Sequence, residues 1–264
     1  MIKLFATDLD GTLLKPENHI KEHDKKALHT LSNHGIDFAI ATGRMDRDIL
    51  EICKEIGLSA HRISQNGAFV DVKSNQKIYS KTFDAITSAA IHKTVQDYPT
   101  IFCITTADEI YISEKNEEIR AIEALQYFPL IEGVDFIDEY GDTVHPSKFM
   151  LLGEGEQLFS LQRELNNHFA EQIESYISDE RCMDIVPKHV SKGNGLKKLA
   201  KQLNIETSEI AVIGDSYNDI PMFEMTPYSF AMATAPEPVK AKATYVVEDV
   251  YEAIEQLTIT IKSS

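Results

Sequence analysis

Hydrophobic residues in this chain fall into short runs that alternate between two kinds of spacing. Ile2 to Thr7 is apolar without surface alternation and runs into Asp8 and Asp10, the pattern of a buried parallel strand whose carboxyl end carries polar groups. Ile20 to Leu31 then sets Ala27, Leu28 and Leu31 at helical spacing, closed by Asn33-His34-Gly35. Asp37 to Ala41 is a second buried strand leading into Thr42-Gly43-Arg44, and Asp46 to Ile56 returns as a helix stopped by Gly57. Strand, helix, strand, helix predicts a βαβ unit in a parallel sheet. The pattern resumes near the carboxyl end. A basic amphipathic helix spans 195–203, a buried strand 209–214 leads to Asp215, and a helix covers 220–225. Shorter strand and helix pieces follow at 228–232, 239–243, 245–247 and 250–257.

The middle of the chain has a different grammar. Helices are predicted at 85–97, 117–125 and 157–169, and strands at 101–105, 109–113, 148–152, 175–178 and 183–186. Asp108-Glu109 makes a hairpin turn between two of these strands, and the polar stretch 129–146 is expected to be loop-rich. Adjacent strands of this kind predict an α+β module. The expected organisation is an α/β parallel-sheet core made of 1–82 and 187–264, with an α+β module, 83–186, inserted between its halves.

Composition narrows the classes of partner. The chain has 264 residues, 43% of them hydrophobic and 26% charged, with a formal net charge of -16. Such a surface repels nucleic-acid backbones and anionic membranes. It also repels phosphorylated molecules, so a phosphate site here must gather cations locally. Cys53, Cys103 and Cys182 form no CxxC pair, which argues against a disulfide framework or a zinc site. The opening Met1-Ile2-Lys3-Leu4-Phe5 reaches Asp8 without a secretory apolar region, and no run approaches the length of a membrane span. The expectation is a soluble cytoplasmic protein, monomer or homodimer, acting on a small molecule. The nine histidines lack metal-ligand spacing and are expected at the surface, His61 among them, whereas Cys53 falls on the core face of its helix.

In open parallel sheets ligands collect beyond the carboxyl ends of the strands. Three predicted strands end in Asp8 and Asp10, in Thr42, and in Asp215, and Lys192 precedes a helix returning to the same core. Singly, each has a structural reading: Asp-Gly-Thr is a common turn, Thr42 a helix cap, Lys192 a surface lysine. Together they suit phosphoryl transfer. Asp8 is the candidate nucleophile, because a carboxylate that accepts phosphorus splits one hard hydrolysis into two easier steps. Asp10, on the same side of the extended backbone, is the candidate acid and base. Asp8 and Asp215 offer hard oxygens for Mg²⁺, while Thr42, with Gly43 beside it, and Lys192 would grip phosphoryl oxygens. No GxSxG, GxGxxG or Walker A run competes with this reading.

The ordered set Asp8-Leu9-Asp10-Gly11-Thr12, Thr42, Lys192-Gly193 and Gly214-Asp215-Ser216-Tyr217-Asn218-Asp219 resembles the haloacid dehalogenase superfamily of phosphatases, and within it the Cof-type hydrolases. The resemblance spans nearly the whole chain. It implies a Rossmann-like core with an inserted α/β cap, Mg²⁺, a phosphoaspartate at Asp8, and a metal contact through the Asp10 carbonyl. It further implies that Asn218 and Asp219 complete the site and that Asn66, in Gln65-Asn66-Gly67-Ala68, contacts substrate. Two departures stand out: His189 and Ala233-Thr234-Ala235 occupy positions where the family usually has Gly and Gly-Asn-Ala. The expected substrates are sugar phosphates or phosphorylated cofactors such as flavin mononucleotide or pyridoxal phosphate. A phosphomutase of the same superfamily and a non-enzymatic phosphoacceptor module are the alternatives.

Overall fold

The computed structural model describes residues 1–124, 127–179 and 181–262. The chain divides into two compact units, Met1–Tyr79 with Ser191–Ser264, and Ser80–Val190.

The first unit begins with β1 (Leu4–Thr7), α1 (Glu22–Asn33), β2 (Asp37–Ala41), α2 (Asp46–Ile56) and β3 (His61–Ser64). Each strand pairs in parallel with the next. The helices turn Leu28, Leu31, Ile49, Ile52 and Ile56 onto one face of the sheet, where they meet Phe5 and Phe38. The chain then doubles back through β4 (Phe69–Asp71), antiparallel to β3, and β5 (Lys77–Ser80) at the edge.

The second unit contains α3 (Ala85–Val95), β6 (Ile101–Thr105), β7 (Ile110–Ile112), α4 (Glu117–Glu123), β8 (Ile131–Glu132), β9 (Lys148–Leu152), α5 (Gly155–His168), β10 (Ile173–Asp179) and β11 (Cys182–Pro187). Its sheet has the order β10-β11-β9-β6-β7-β8 and is antiparallel apart from the β7–β8 pair. Alternation sends Phe102, Ile104, Phe149, Leu151, Met183 and Ile185 to one face, where Ile91 of α3 and Leu158, Leu161 and Leu165 of α5 cover them. The β6–β7 turn closes with Thr106 N–H donating to the Glu109 carbonyl at 2.9 Å, the expected hairpin.

The chain returns to the first unit through α6 (Lys192–Leu203), β12 (Ile210–Gly214), α7 (Ile220–Phe223), β13 (Tyr228–Met232), α8 (Glu237–Lys240), β14 (Tyr245–Val247) and α9 (Val250–Lys262). The sheet order is β14-β13-β12-β1-β2-β3-β4-β5, parallel from β14 to β3. Strand β1 therefore has β2 on one side and the late strand β12 on the other. That is the point at which the strand order reverses, where such sheets bind ligands. Among the described residues no helix is long and apolar enough to cross a membrane.

Several sequence expectations need correction. Residues 61–80 contain three strands that periodicity missed, because β3 opens with His61 and Arg62. Arg62 is buried but its Nε reaches Asp46 Oδ1 at 2.7 Å, and the His61 Nδ1 accepts the Lys73 N–H at 3.2 Å. His61 and His92 are thus interior residues, not surface ones. The stretch 129–146 is loop-rich as expected apart from β8, yet it packs Val134, Phe136, Tyr140 and Val144 into the core of its unit. The helix expected over 117–125 ends as α4 at Glu123, and Leu125 lies outside the described residues. Helix α6 starts at Lys192, earlier than expected, because Ser191 Oγ caps it by accepting the Asn194 N–H at 3.1 Å.

The two buried histidines have a consequence in acid. Burial lowers the pKa of both below the ordinary 6.5, so the folded state resists their protonation while the unfolded chain accepts it. Stability from this source is complete above the unfolded value and declines as pH falls through it. His92 Nδ1 lies 2.8 Å from the Tyr140 hydroxyl. Between pH 7.5 and 5.5 the urea midpoint of wild-type protein should therefore fall more than that of His92→Gln. Parallel declines would show that this imidazole is not the source.

Candidate active site

Strands β1 and β12 run in register, Thr7 beside Ile213, so Asp8 and Asp215 leave the sheet at the same end. The Asp8 N–H extends the ladder by donating to the Ile213 carbonyl at 3.0 Å, and the Thr7 hydroxyl donates to the Asp8 carbonyl at 2.7 Å. The Asp8 backbone is thereby fixed in a site where the residue is only 4% exposed. Gly11 follows with φ +80°, and a Cβ there would lie 2.3 Å from Asp215 Oδ2. Both its conformation and the approach of Asp215 require glycine at this turn. Thr12 completes the link, its hydroxyl donating to Asp215 Oδ1 at 2.8 Å.

Lys192 stands at the start of α6 and is 1% exposed. Its ammonium lies 2.7 Å from Asp8 Oδ1 and 2.7 Å from Asp219 Oδ1. Asp219 uses its other oxygen to accept the N–H groups of Asp215 and Ser216, each at 3.0 Å. Asp219 therefore shapes the loop that carries Asp215, and its oxygens are already committed. The helix containing Lys192 also comes close: a Cβ at Gly193 would meet the Pro221 carbonyl at 2.2 Å, and one at Gly214 the Asp219 carboxyl carbon at 2.3 Å.

Thr42 sits just beyond β2, and its hydroxyl accepts the Arg44 N–H at 3.1 Å. Gly43 lies between them in the same turn. Asn66 belongs to a run of three residues in left-handed backbone, Gln65, Asn66 and Gly67. Its N–H donates to the Thr42 carbonyl at 2.9 Å, and its side-chain oxygen accepts from Asn218 Nδ2 at 3.1 Å. Asp10 has a different partner. Its side chain is 55% exposed, and the Arg44 guanidinium grips it, Nε to Oδ2 at 2.9 Å and Nη2 to Oδ1 at 2.5 Å.

The cluster is strongly acidic and largely buried, and its carboxylates could hold a cation. Carboxylate oxygens of Asp8, Asp215 and Asp219 all lie within 4.8 Å of one another. One lysine stands against these three acids. Burial pushes the Asp8 carboxyl well above the usual range, Lys192 opposing and Asp219, Asp215 and Asp10 adding to the rise. Burial raises Asp215 as well, with Asp219 adding and the Thr12 hydroxyl opposing. Burial disfavours the charge on Lys192, but Asp219 and Asp8 outweigh it and drive its pKa up. Uncompensated buried carboxylates of this kind fit a hard divalent ion bound by oxygen. Asp8 and Asp215 are the acids with ligand capacity left.

A second grouping, His23, Asp24 and Asp249, has the same spacing, but Lys21 lies 2.6 Å from Asp249 and Lys15 lies 3.7 Å away. The charge of Asp249 is already met by protein cations.

The geometry brings Asp8, Lys192, Asp215 and Asp219 into direct contact and ties Asn66 to Asn218. The sequence reading missed Thr12 as the partner of Asp215, although its hydroxyl stands in the opening motif. It also missed Arg44 as the partner of Asp10. The profile of the haloacid dehalogenase-like hydrolase family matches residues 5–254. The chain belongs to that family. It is 26% identical to Phosphatase YwpJ of Bacillus subtilis, over 93% of this chain and 94% of the relative. It is 27% identical to 5-amino-6-(5-phospho-D-ribitylamino)uracil phosphatase YbjI of Escherichia coli, over 92% of this chain and 90% of the relative. A solved haloacid dehalogenase-like hydrolase from B. subtilis superposes with a TM-score of 0.89 at 25% identity, covering 97% of this chain and all of that one. This hydrolase is a phosphatase by class, and its parallel-sheet core is the fold of the family.

Proposed function

We propose that this protein is a Mg²⁺-dependent phosphatase of small phosphorylated metabolites, working through a phosphoaspartate at Asp8. The observation that carries the reading is the buried cluster in which Asp8 shares Lys192 with Asp219 while Asp215 stands alongside. Asp8 attacks phosphorus. Lys192 holds Asp8 in place and neutralises charge as it redistributes over the phosphoryl oxygens, which Thr42, Gly43 and Asn218 help to bind. Asp8, Asp215 and the Asp10 carbonyl would hold Mg²⁺. Bound there, the ion screens carboxylate from phosphate and stabilises the charge of the transferring group. Asp10 gives a proton to the leaving oxygen, then takes one from the water that hydrolyses the acyl phosphate.

The inserted unit is proposed to act as a cap that selects the leaving group. A polyol phosphate suits this reading, since the E. coli relative is named for a phospho-D-ribityl compound. The acidic surface and the three dispersed cysteines support action in the cytoplasm on small molecules.

Phosphate release over a panel of phosphorylated sugars and cofactors, with Mg²⁺ and with chelator, tests the proposal. Release from none of them would end it. Asp215→Ala should raise the Mg²⁺ concentration for half-maximal rate by at least about tenfold, as loss of one charged ligand implies. An unchanged metal titration would remove Asp215 from the ligand set.

A further inference from the structure

Arg44 is held through its backbone and through two of its guanidinium nitrogens. Its N–H donates to Thr42 Oγ1 at 3.1 Å, and its carbonyl accepts the Gln65 N–H at 2.9 Å. Its Nη2 donates both to Asp10 Oδ1 at 2.5 Å and to Asn18 Oδ1 at 2.8 Å. Its Nε faces both Asp10 oxygens, at 3.1 and 2.9 Å. The arginine side chain is 15% exposed and the Asp10 side chain 55%. The pair is thus unequal: a held fork and an exposed carboxylate whose direction depends on it.

We propose that Arg44 is a positioning residue for Asp10, aiming the carboxyl that protonates the leaving group; this rests on the phosphatase reading above. An exposed Asp side chain at a turn samples several rotamers, and holding one near the reacting atoms converts a chance encounter into a set geometry. The guanidinium fork meets carboxylate on parallel bonds and leaves further lone-pair directions on the oxygens for a proton. In the step concerned, the Asp8 oxygen bonds to phosphorus while the bond from phosphorus to the leaving oxygen breaks. The electron pair stays on that oxygen, which takes the Asp10 proton and departs as an alcohol. Asp10 is left ionised, still within the fork that ties it to Arg44 and through Arg44 to Asn18.

Leaving-group dependence of kcat/KM separates this role from a structural one, since kcat/KM reports the step that phosphorylates Asp8. An alkyl phosphate needs the proton, whereas p-nitrophenolate departs without it. Arg44→Met should lower kcat/KM for an alkyl phosphate by about 10²-fold, the lower end of what a general acid supplies, and for p-nitrophenyl phosphate by less than about fivefold. Asp10→Asn should show the same selectivity, and the Asp10→Asn/Arg44→Met double variant should add none to it. Arg44→Lys keeps the charge without the fork, so it should show the same bias at reduced size, and it serves if Arg44→Met fails to fold. Equal losses on both esters overturn the proposal, as do selectivities that multiply in the double variant. Wild-type protein that releases phosphate from neither ester overturns the phosphatase reading, and this inference with it.

Discussion

Asp8→Asn lowers phosphate release by at least about 10³-fold, the scale on which loss of a covalent nucleophile is felt, and leaves the protein folded. An amide nitrogen or oxygen at this place cannot form the acyl phosphate, and Asp219 cannot take its place, being committed to two amides and to Lys192. The fold survives because burial already works against the charge on Asp8. An isosteric neutral group removes that penalty, and Lys192 keeps Asp219 as a partner at 2.7 Å. Steady-state phosphate release with Mg²⁺ measures the first effect, and thermal unfolding with far-UV circular dichroism the second. Activity within about tenfold of wild type would move the nucleophile elsewhere.

How much of this could be read from sequence depends on whether a residue's partner is near in sequence or in space. Strands β1, β2 and β12 are continuous apolar runs, since a parallel strand covered on both faces needs no polar alternation, and each was legible together with the polar group at its end. Strand β3 was not, because a buried arginine becomes acceptable only through partners outside the strand, Asp46 on the preceding helix and Asn75. Lys192 is the same case at greater range. As a residue type it belongs at the surface, and it is buried here because two acids, 184 and 27 residues away, meet its charge. The sequence motif pointed to Lys192 as a phosphate contact; the structure adds that its ammonium bonds Asp8, the proposed nucleophile. Asn66 shifted in another way. The motif suggested a substrate contact; the structure adds a bond from Asn218 to its side-chain oxygen, which joins the loop after β3 to the loop after β12. In the inserted unit, 129–146 lacks periodicity because it contributes isolated side chains to the core. Tyr111 and Phe136 make an edge-to-face contact with centroids 4.8 Å apart, a tertiary arrangement no local window contains.

Lys192→Met is expected to destabilise the protein by about 3–5 kcal/mol, as breaking a buried ion pair by removing one partner does. The methylene stem is replaced almost in volume, so the loss is electrostatic. Asp8 and Asp219, both nearly inaccessible, then face each other without the ammonium that lay 2.7 Å from each. If that is the cause, two treatments should return stability without restoring the lysine. Asp219→Asn in the Lys192→Met background removes one of the uncompensated charges, and the double variant should be more stable than the single one. The two sites are in direct contact, so the effects should not add. Millimolar Mg²⁺, binding the folded cluster and not the unfolded chain, should also raise the midpoint of Lys192→Met. Neither treatment should restore turnover, because the group proposed to neutralise the phosphoryl oxygens is gone; a loss of at least about 10²-fold is expected, as for other preorganised electrostatic donors. Denaturant unfolding of the single and double variants, with and without Mg²⁺, separates this account from simple misfit of methionine. A misfitted side chain would leave the double variant no more stable than Lys192→Met and indifferent to the ion, whereas coupled recovery assigns Lys192 the dual task of holding the nucleophile and balancing its charge.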